Sequence, residues 1–510
     1  MKLKEIRKDI ILLSILFLLS FALRLIYFQG FILCDDPEEF GHPKYFLEHK
    51  PSFNYHFHFR FSIWIFNWFF FKIFGISEMS FFLPTLLMSS TFPLFAFLIL
   101  RSFKYNSLSS FLAGLVIATA PFEVMIGTLR ANDLIFAWFA YLAFTVFVLF
   151  RNKQKIQGIL VGIFLWLAFY AKMWAAYFYL IFFIFYIYLH RKGENCSGLM
   201  YFISSSFILH LITMLYWKKE AGIFFPFFKY HSATYPVTLD NLTNIWLTYP
   251  TYIFKGSPLG TTLFGTIPYI LLLSLIIKFV VSRRKNTKVR FDQLDVFLFA
   301  LYFIFFILLN FIPDTPLKFD SYYSVPRIFR YLYPISFPMT LHLAKNIIDV
   351  AFGSRFKKLF LIFIFALLIL INILQAQEAT LYGREYRSNL LSIIEDIKNL
   401  HPPTVLVESW VGYFLQEVYL KDFNISIEPI YGIYDAKDYE IWLKNNEERL
   451  PNGTVLIANF GSCVYYGCYH CGFQLDLFRE KLSDDWNLIK EYGYLKYRNQ
   501  KPRLYILSKK

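Results

Sequence analysis

The stretch Ile10-Ile11-Leu12-Leu13-Ser14-Ile15-Leu16-Phe17-Leu18-Leu19-Ser20-Phe21-Ala22-Leu23-Arg24-Leu25-Ile26-Tyr27-Phe28 holds one charged side chain, Arg24. A run of about 20 mostly apolar residues is the length that crosses a bilayer as a helix. Lys2, Lys4, Arg7 and Lys8 precede it. Soon after it comes Cys34-Asp35-Asp36-Pro37-Glu38-Glu39-Phe40, with four carboxylates in five residues. Basic flanks stay cytoplasmic, so the N-terminus is expected inside and the acidic loop outside. No small-residue cleavage site follows the run, which is therefore expected to persist as an anchor.

The rest of the chain extends this pattern. Of 510 residues 57% are apolar and 21% aromatic, including 63 Phe and 36 Tyr, and the formal net charge is +15. The charge is unevenly spread. Residues 1–376 hold 35 basic and 18 acidic residues, a net +17, whereas the last 134 hold 16 and 18, a net −2. The basic excess lies in the hydrophobic part, which argues against nucleic acid as a partner. Disorder, collagen-like repeats and a disulfide-dense scaffold are excluded by the same composition. The expected class is an α-helical integral membrane protein, residues 1–376, with a soluble tail, residues 377–510.

Eleven spans are expected, with cores at 9–28, 79–100, 107–127, 133–150, 156–171, 174–189, 199–217, 261–281, 295–312, 331–349 and 358–376. Only Ala171-Lys172-Met173 divides the fifth from the sixth. Residues 61–75 are apolar but short, as for a helix at the interface or partly re-entrant. Arg101/Lys104, Arg151/Lys153/Lys155, Arg191/Lys192, Arg283/Arg284/Lys285/Lys288/Arg290 and Arg355/Lys357/Lys358 fall in alternate loops. Those loops are then cytoplasmic, and an odd number of spans puts the tail outside. The longer outward segments are 29–60, 218–260 and 313–330. No internal repeat of the transporter kind is visible. In the tail, Ser388–Leu400 and Ala436–Leu450 read as helices, and Thr404–Glu408, 453–458 and Arg503–Leu507 as strands. A small α/β domain without a glycine-rich phosphate loop is expected there.

The chemistry-bearing residues gather at the outer edge. Adjacent acids such as Asp35 and Asp36 repel, and a low-dielectric setting raises the pKa of at least one, which makes a base able to accept a hydroxyl proton. The same cluster also suits a divalent ion, or serves simply as a solvated helix cap. Asp133, in Arg130-Ala131-Asn132-Asp133, reads either as a helix N-cap with a salt bridge or as a second catalytic or orienting acid. Arg24, Lys172, Arg327 and Arg330 are cations at outer span ends. Each alone is explained by snorkelling to the interface. Together, facing acids, they suit a phosphate at the membrane surface.

At these positions the chain resembles the polytopic glycosyltransferases of the C type (GT-C), in particular the bacterial members related to protein O-mannosyltransferases and aminoarabinose transferases, glycosyltransferase family 39-like. The likeness rests on the order of Arg24 and Asp35-Asp36, then Arg60 and Phe74-Gly75-Ile76-Ser77-Glu78. Ala120-Pro121-Phe122-Glu123 through Asp133, Gly162 to Ala171-Lys172, and Arg330-Tyr331-Leu332-Tyr333-Pro334 continue it. It covers most of residues 8–376. Where the family usually has Asp-Glu this chain has Asp-Asp followed by Pro37, so the base is Asp35 or Asp36, and Glu38 or Glu39 is a second candidate partner. The resemblance implies sugar transfer from a polyprenyl-phosphate donor to an acceptor hydroxyl on the outer face of an inner (plasma) membrane, with inversion. It implies Asp35, Asp36 and Asp133 as catalytic residues, and Arg60, Lys172, Arg327 and Arg330 on the donor phosphate. The acceptor is a lipid, a glycan or a protein. No cofactor is required by it, and a divalent metal on the acidic cluster stays open.

Two other classes compete. A lipid-linked saccharide flippase or transporter predicts charges in mid-span, where few occur here. An O-antigen ligase or polymerase predicts a large outward loop late in the bundle. Among weaker signals, His42, His49, His56 and His58 crowd the first loop, and His56-Phe57-His58 on a strand makes half a metal site. Otherwise they are polar loop residues or donors to substrate hydroxyls. Cys463, Cys468 and Cys471, with His470 between, read as a disulfide, as free thiols or as a metal knuckle. Asn241-Leu242-Thr243, Asn424-Ile425-Ser426 and Asn452-Gly453-Thr454 match glycosylation acceptors, a pattern short enough to arise by chance.

Overall fold

Inside a bilayer every backbone N–H and C=O must be satisfied within the protein, so apolar stretches become helices. In a computed structural model of the chain the described residues are 3–31, 36–50, 56–224, 242–255, 263–284, 292–311, 329–351, 355–408, 414–430, 445, 449–459, 486–492 and 504–509. The described residues of the eleven expected stretches are mostly helical, with a break at Ala120 and a turn at 263–266. In chain order the helices are α1 (Leu3–Ile26), α2 (Asp36–Glu48), α3 (Phe61–Phe74), α4 (Glu78–Ser102), α5 (Ser107–Thr119), α6 (Pro121–Gly127), α7 (Asn132–Leu149) and α8 (Gln154–Ala171). They continue with α9 (Ala175–Arg191), α10 (Gly198–Ala221), α11 (Leu242–Phe254), α12 (Ile267–Arg284), α13 (Gln293–Phe311), α14 (Tyr333–Ala351) and α15 (Arg355–Leu400).

Among the described residues seven helices are long and apolar enough to cross a membrane, or eight if α5 and α6 form one span bent by 58°. The bend falls at Ala120-Pro121, where proline has no N–H to continue the ladder. Helices α3, α9 and residues 267–280 of α12 are apolar but shorter. Helix α14 is nearly all buried and carries His342, Lys345 and Asn346 into the bundle.

Helices α4 and α7 form the buried centre, while α1, α10, α12 and the first half of α15 present belts such as Leu18, Phe207, Ile276 and Phe363 outward. In a membrane those belts face lipid. Helices α8 and α10 cross closely because Gly158 and Gly162 carry no side chain. A Cβ on Gly158 would lie 2.1 Å from Gly198 O, and one on Gly162 2.1 Å from Ser205 Oγ.

At the end of the bundle where α1 begins, ion pairs tie helices together. Lys345 Nζ lies 2.7 Å from both Asp295 and Asp349 and 2.9 Å from Asp292, and Lys278 Nζ 2.8 Å from Asp295. Asp292, Asp295 and Asp349 also form a carboxylate trio with metal-like spacing. The lysines among them supply the countercharge, so the trio reads as a helix clamp.

Helix α15 runs for 46 residues, about 69 Å at the usual rise. It passes unbroken through position 376 and ends at Leu400; strands begin only at Thr404. They are β1 (Thr404–Glu408), β2 (Ser426–Ile430), β3 (Val455–Asn459), β4 (Trp486–Tyr492) and β5 (Leu504–Lys509), in the order β2-β1-β3-β5-β4. Strand β1 is parallel to β2 and β3, and β5 is antiparallel to β3 and β4. Ile393 and Ile397 of α15 share a core with Val405, Val407 and Val455. The three strands read from the sequence are β1, β3 and β5. Strands β2 and β4 were not anticipated, and most of 436–450 lies outside the described residues.

Candidate functional site

The site is built where α7 starts, at the end of the bundle opposite the lysine–aspartate clamp. Thr128-Leu129-Arg130-Ala131 joins α6 to α7, and every one of these residues is buried. The N-cap position is Ala131, with no side-chain cap, and Asp133 lies in the first turn of α7. Asp133 is therefore not the cap residue. Its negative charge still sits favourably at a helix N-terminus.

Two cations reach it. Lys172 terminates α8, and its Nζ donates to Asp133 Oδ1 at 2.5 Å. Arg330, in the 3-10 turn Phe329–Leu332 that leads into α14, places Nε 3.5 Å from Asp133 Oδ2. Asp133 is fully buried and Arg330 nearly so. The Lys172 ammonium also lies 3.8 Å from the Tyr331 ring centre and 4.2 Å from that of Trp174. The two rings meet edge to face at 4.2 Å, a half-cage that holds the cation by its π-faces. The Lys172 pKa is lowered to about 8, chiefly by burial, with Asp133 opposing the shift and the Arg330 and Arg60 charges adding to it. Arg60, at the entrance to α3, thus contributes to the same field. Lys172 and Arg330 meet on one carboxylate with the Arg60 charge acting on Lys172, a grouping of cations that suits a phosphate.

Beside it Glu39, a candidate partner of the base in the sequence, is paired instead with Arg130. Glu39 and Arg130 are both fully buried, with Nε 3.6 Å from Oε2. Arg130 also donates to Ile63 O at 2.8 Å and lies 5.7 Å from the Phe81 ring centre. Glu39 is one turn along α2 from Asp36, so this pair ties the first turn of the acidic helix to the α6–α7 connector. Asp36 opens α2. Asp35 and Arg327 lie outside the described residues, as do Cys463, Cys468 and Cys471.

Arg24 does not stand at the outer edge among these cations. It is fully buried and donates to Ala118 O at 2.7 Å, Ser20 O at 3.2 Å and Ser89 Oγ at 3.3 Å. Ala118 is one of the last residues of α5, where the break at Pro121 removes the usual backbone donors. Arg24 caps that end, and its position in α1 gave no hint of it. Nearby, Tyr333 donates to Glu123 Oε2 at 2.6 Å.

The histidine pattern also differs from expectation. Residues 56–59 form a 3-10 turn rather than a strand. His58 Nε2 meets His42 Nδ1 at 2.9 Å across the gap to α2, so these two imidazoles bond to each other. A signal for the aromatic half-cage was present in the sequence: Lys172 and Trp174 are two residues apart, and Arg330 and Tyr331 are adjacent.

Residues 61–217 match the family model described as dolichyl-phosphate-mannose-protein mannosyltransferase. That segment contains Arg130, Asp133 and Lys172. In fold the chain is similar to ArnT from Cupriavidus metallidurans in the apo state, with a TM-score of 0.54 at 10% identity over 98% of this chain and 97% of that one. ArnT from the same organism bound to undecaprenyl phosphate aligns with a TM-score of 0.49 at 9% identity, over the same shares of the two chains. The archaeal oligosaccharyltransferase AglB from Archaeoglobus fulgidus, in complex with an inhibitory peptide and a dolichol-phosphate, aligns with a TM-score of 0.49 at 11% identity over 90% of this chain and 70% of that one. No curated protein sequence matches the chain.

Proposed function

We propose that this multi-pass membrane chain, whose fold is similar to that of a C-type glycosyltransferase and whose residues 61–217 match a mannosyltransferase family model, transfers a sugar from a polyprenyl-phosphate donor to an acceptor hydroxyl. The observation that carries this reading is the convergence of Lys172 and Arg330 on Asp133 at one end of the bundle, with the Arg60 charge acting on Lys172. A lipid-linked donor keeps its prenyl chain in the bilayer, so its phosphate arrives at the depth of span ends. That is where these cations lie.

In the proposed reaction Asp35 or Asp36 takes the acceptor proton, and the acceptor oxygen attacks the anomeric carbon. The bond from that carbon to the phosphate oxygen breaks, and the electron pair leaves with the lipid phosphate. Lys172, Arg330, Arg60 and Arg327 stabilise the charge that grows there. Asp133 holds Lys172 and Arg330 in register for this, and it keeps the uncharged amine from being the resting form of Lys172. One base and a phosphate leaving group that needs little protonation are enough for inversion. The loop charges favour a cytoplasmic N-terminus with the site and tail outside, and the resemblance suggests an inner (plasma) membrane setting. The buried Arg24, in the last turn of α1, is used in capping α5.

Purified chain in lipid nanodiscs, given a radiolabelled polyprenyl-phosphate sugar and membrane extract as acceptor source, is expected to release free polyprenyl phosphate. Lys172→Ala is expected to suppress release, as is whichever of Asp35→Ala and Asp36→Ala removes the base. Full turnover in Lys172→Ala and in both single aspartate variants would sink the assignment.

A further inference from the structure

The tail reaches back into the first loop. Phe414 precedes a short turn at Leu415–Tyr419 and is buried. Its ring lies 3.7 Å from that of Phe31, at a 24° interplanar angle, and 5.6 Å edge-on from Phe40. Phe31, Phe40, Phe71, Phe81, Phe82, Leu86 and Phe414 form a separate apolar cluster, to which the tail supplies Phe414, with Val418 and Tyr419 packed against it.

The match extends by one turn on both sides. Phe40 and Lys44 stand four residues apart on α2, and the tail answers with Phe414 and Glu417, which pairs with Lys44. A third attachment secures the entrance to this loop. Arg387 of α15 holds Glu78, the first residue of α4, through two bonds of 3.0 and 2.7 Å. Gly30 is packed against that bridge with φ +71°. A Cβ there would meet Glu78 Oε1 at 2.6 Å and Arg387 Cδ at 2.7 Å. The adjoining residue of α2, Glu39, is the one paired with Arg130. Helix α2 is therefore gripped from the bundle by Arg130 and from the tail by Phe414 and Glu417.

We propose that the tail is a positioning element of the transfer site: Phe414 and Glu417 hold α2, and with it Asp36, in the place the reaction needs. The proposal rests on the transfer reaction above. A 13-residue helix that contains Pro43 and has a polar face does not hold one place unaided. A shift of about 1 Å in a catalytic group costs up to about 100-fold in rate.

The test uses full-length chain in nanodiscs and two readouts. Amide hydrogen exchange over residues 36–48 is expected to quicken by about 10-fold or more in Phe414→Ala and in Glu417→Lys, while exchange in α4 and α7 stays unchanged. Phe414→Tyr keeps the ring and is expected to stay near wild type. Lys44→Glu combined with Glu417→Lys is expected to restore protection that either single change removes. In sugar release from the labelled polyprenyl-phosphate sugar, Phe414→Ala is expected to lower kcat by about 10- to 100-fold with the donor KM within about 2-fold. Unchanged exchange over 36–48 in both Phe414→Ala and Glu417→Lys would overturn the proposal. So would faster exchange with an unaltered kcat. A wild-type chain that releases nothing, while the variants still loosen α2, would fault the transfer reaction and leave the grip of the tail standing.

Discussion

Lys172 and Asp133 meet at 2.5 Å although 39 residues separate them, one at the end of α8 and the other in the first turn of α7. The two helices are antiparallel neighbours, so the contact sits where the chain leaves one and where it enters the other. Trp174 and Tyr331 wall the ammonium. Arg330 stands on the far oxygen of the carboxylate.

Removing that ammonium deletes a charge aimed at the leaving phosphate. Lys172→Ala is expected to lower kcat/KM for the polyprenyl-phosphate sugar by about 10²–10³-fold. Lys172→Arg keeps the charge and is expected to retain more activity than Lys172→Ala. Initial-rate kinetics of lipid-phosphate release check both.

The pH dependence follows from the lowered Lys172 pKa of about 8. Below that pH the side chain is the ammonium; above it the neutral amine predominates. Binding of an anionic donor is thus expected to weaken as pH rises from about 7 to about 9.5, with the midpoint near 8 in the free protein. Bound phosphate raises the pKa, so kcat is expected to fall at a higher pH than kcat/KM. Profiles of wild type and Lys172→Arg test this; the arginine variant is expected to lack the limb.

The Glu39–Arg130 pair calls for a stability measurement. Glu39→Gln leaves the Arg130 guanidinium buried without its carboxylate, a change that costs about 3–5 kcal/mol in comparable pairs. Replacing both together, Glu39→Met with Arg130→Met, is expected to cost less than Glu39→Gln alone. Thermal unfolding in a fixed detergent compares the three proteins.

Arg24 is expected to matter for folding rather than for donor affinity. Arg24→Met leaves Ala118 O without its donor at the end of α5, a loss of about 1–3 kcal/mol for a buried polar group. A lowered unfolding midpoint with unchanged donor KM in the surviving protein is the expected result. A raised KM with unaltered stability would put Arg24 back among the phosphate ligands.

These cases separate what could be read along the chain from what could not. Spans such as 79–100 and 133–150 are legible because lipid demands an unbroken run of apolar residues, and such a run is a local property. The break in 107–127 was not, although Pro121 stood in plain view, because a proline in a membrane helix can bend it or end it. Strands β2 and β4 escaped notice because Ser426–Ile430 and Trp486–Tyr492 mix polar and apolar residues without clean alternation. The histidines of 56–58 were read with a strand's periodicity, and the 3-10 turn cancelled it.

By itself the sequence determined that this is a polytopic membrane chain with acids and cations stationed in the turns between spans, and it offered Asp133 as a candidate acid and Lys172 and Arg330 as candidate phosphate ligands. Their types and their distance from span ends are written locally, so no fold is needed to find them. Only the tertiary structure decided which cation meets which acid. Arg24 and Arg330 have the same chemistry and similar places relative to a helix end, yet one caps a broken helix inside the bundle and the other faces Asp133. That choice depends on how α1, α5, α7 and α14 pack together, and helix packing is settled by contacts between residues remote in the chain.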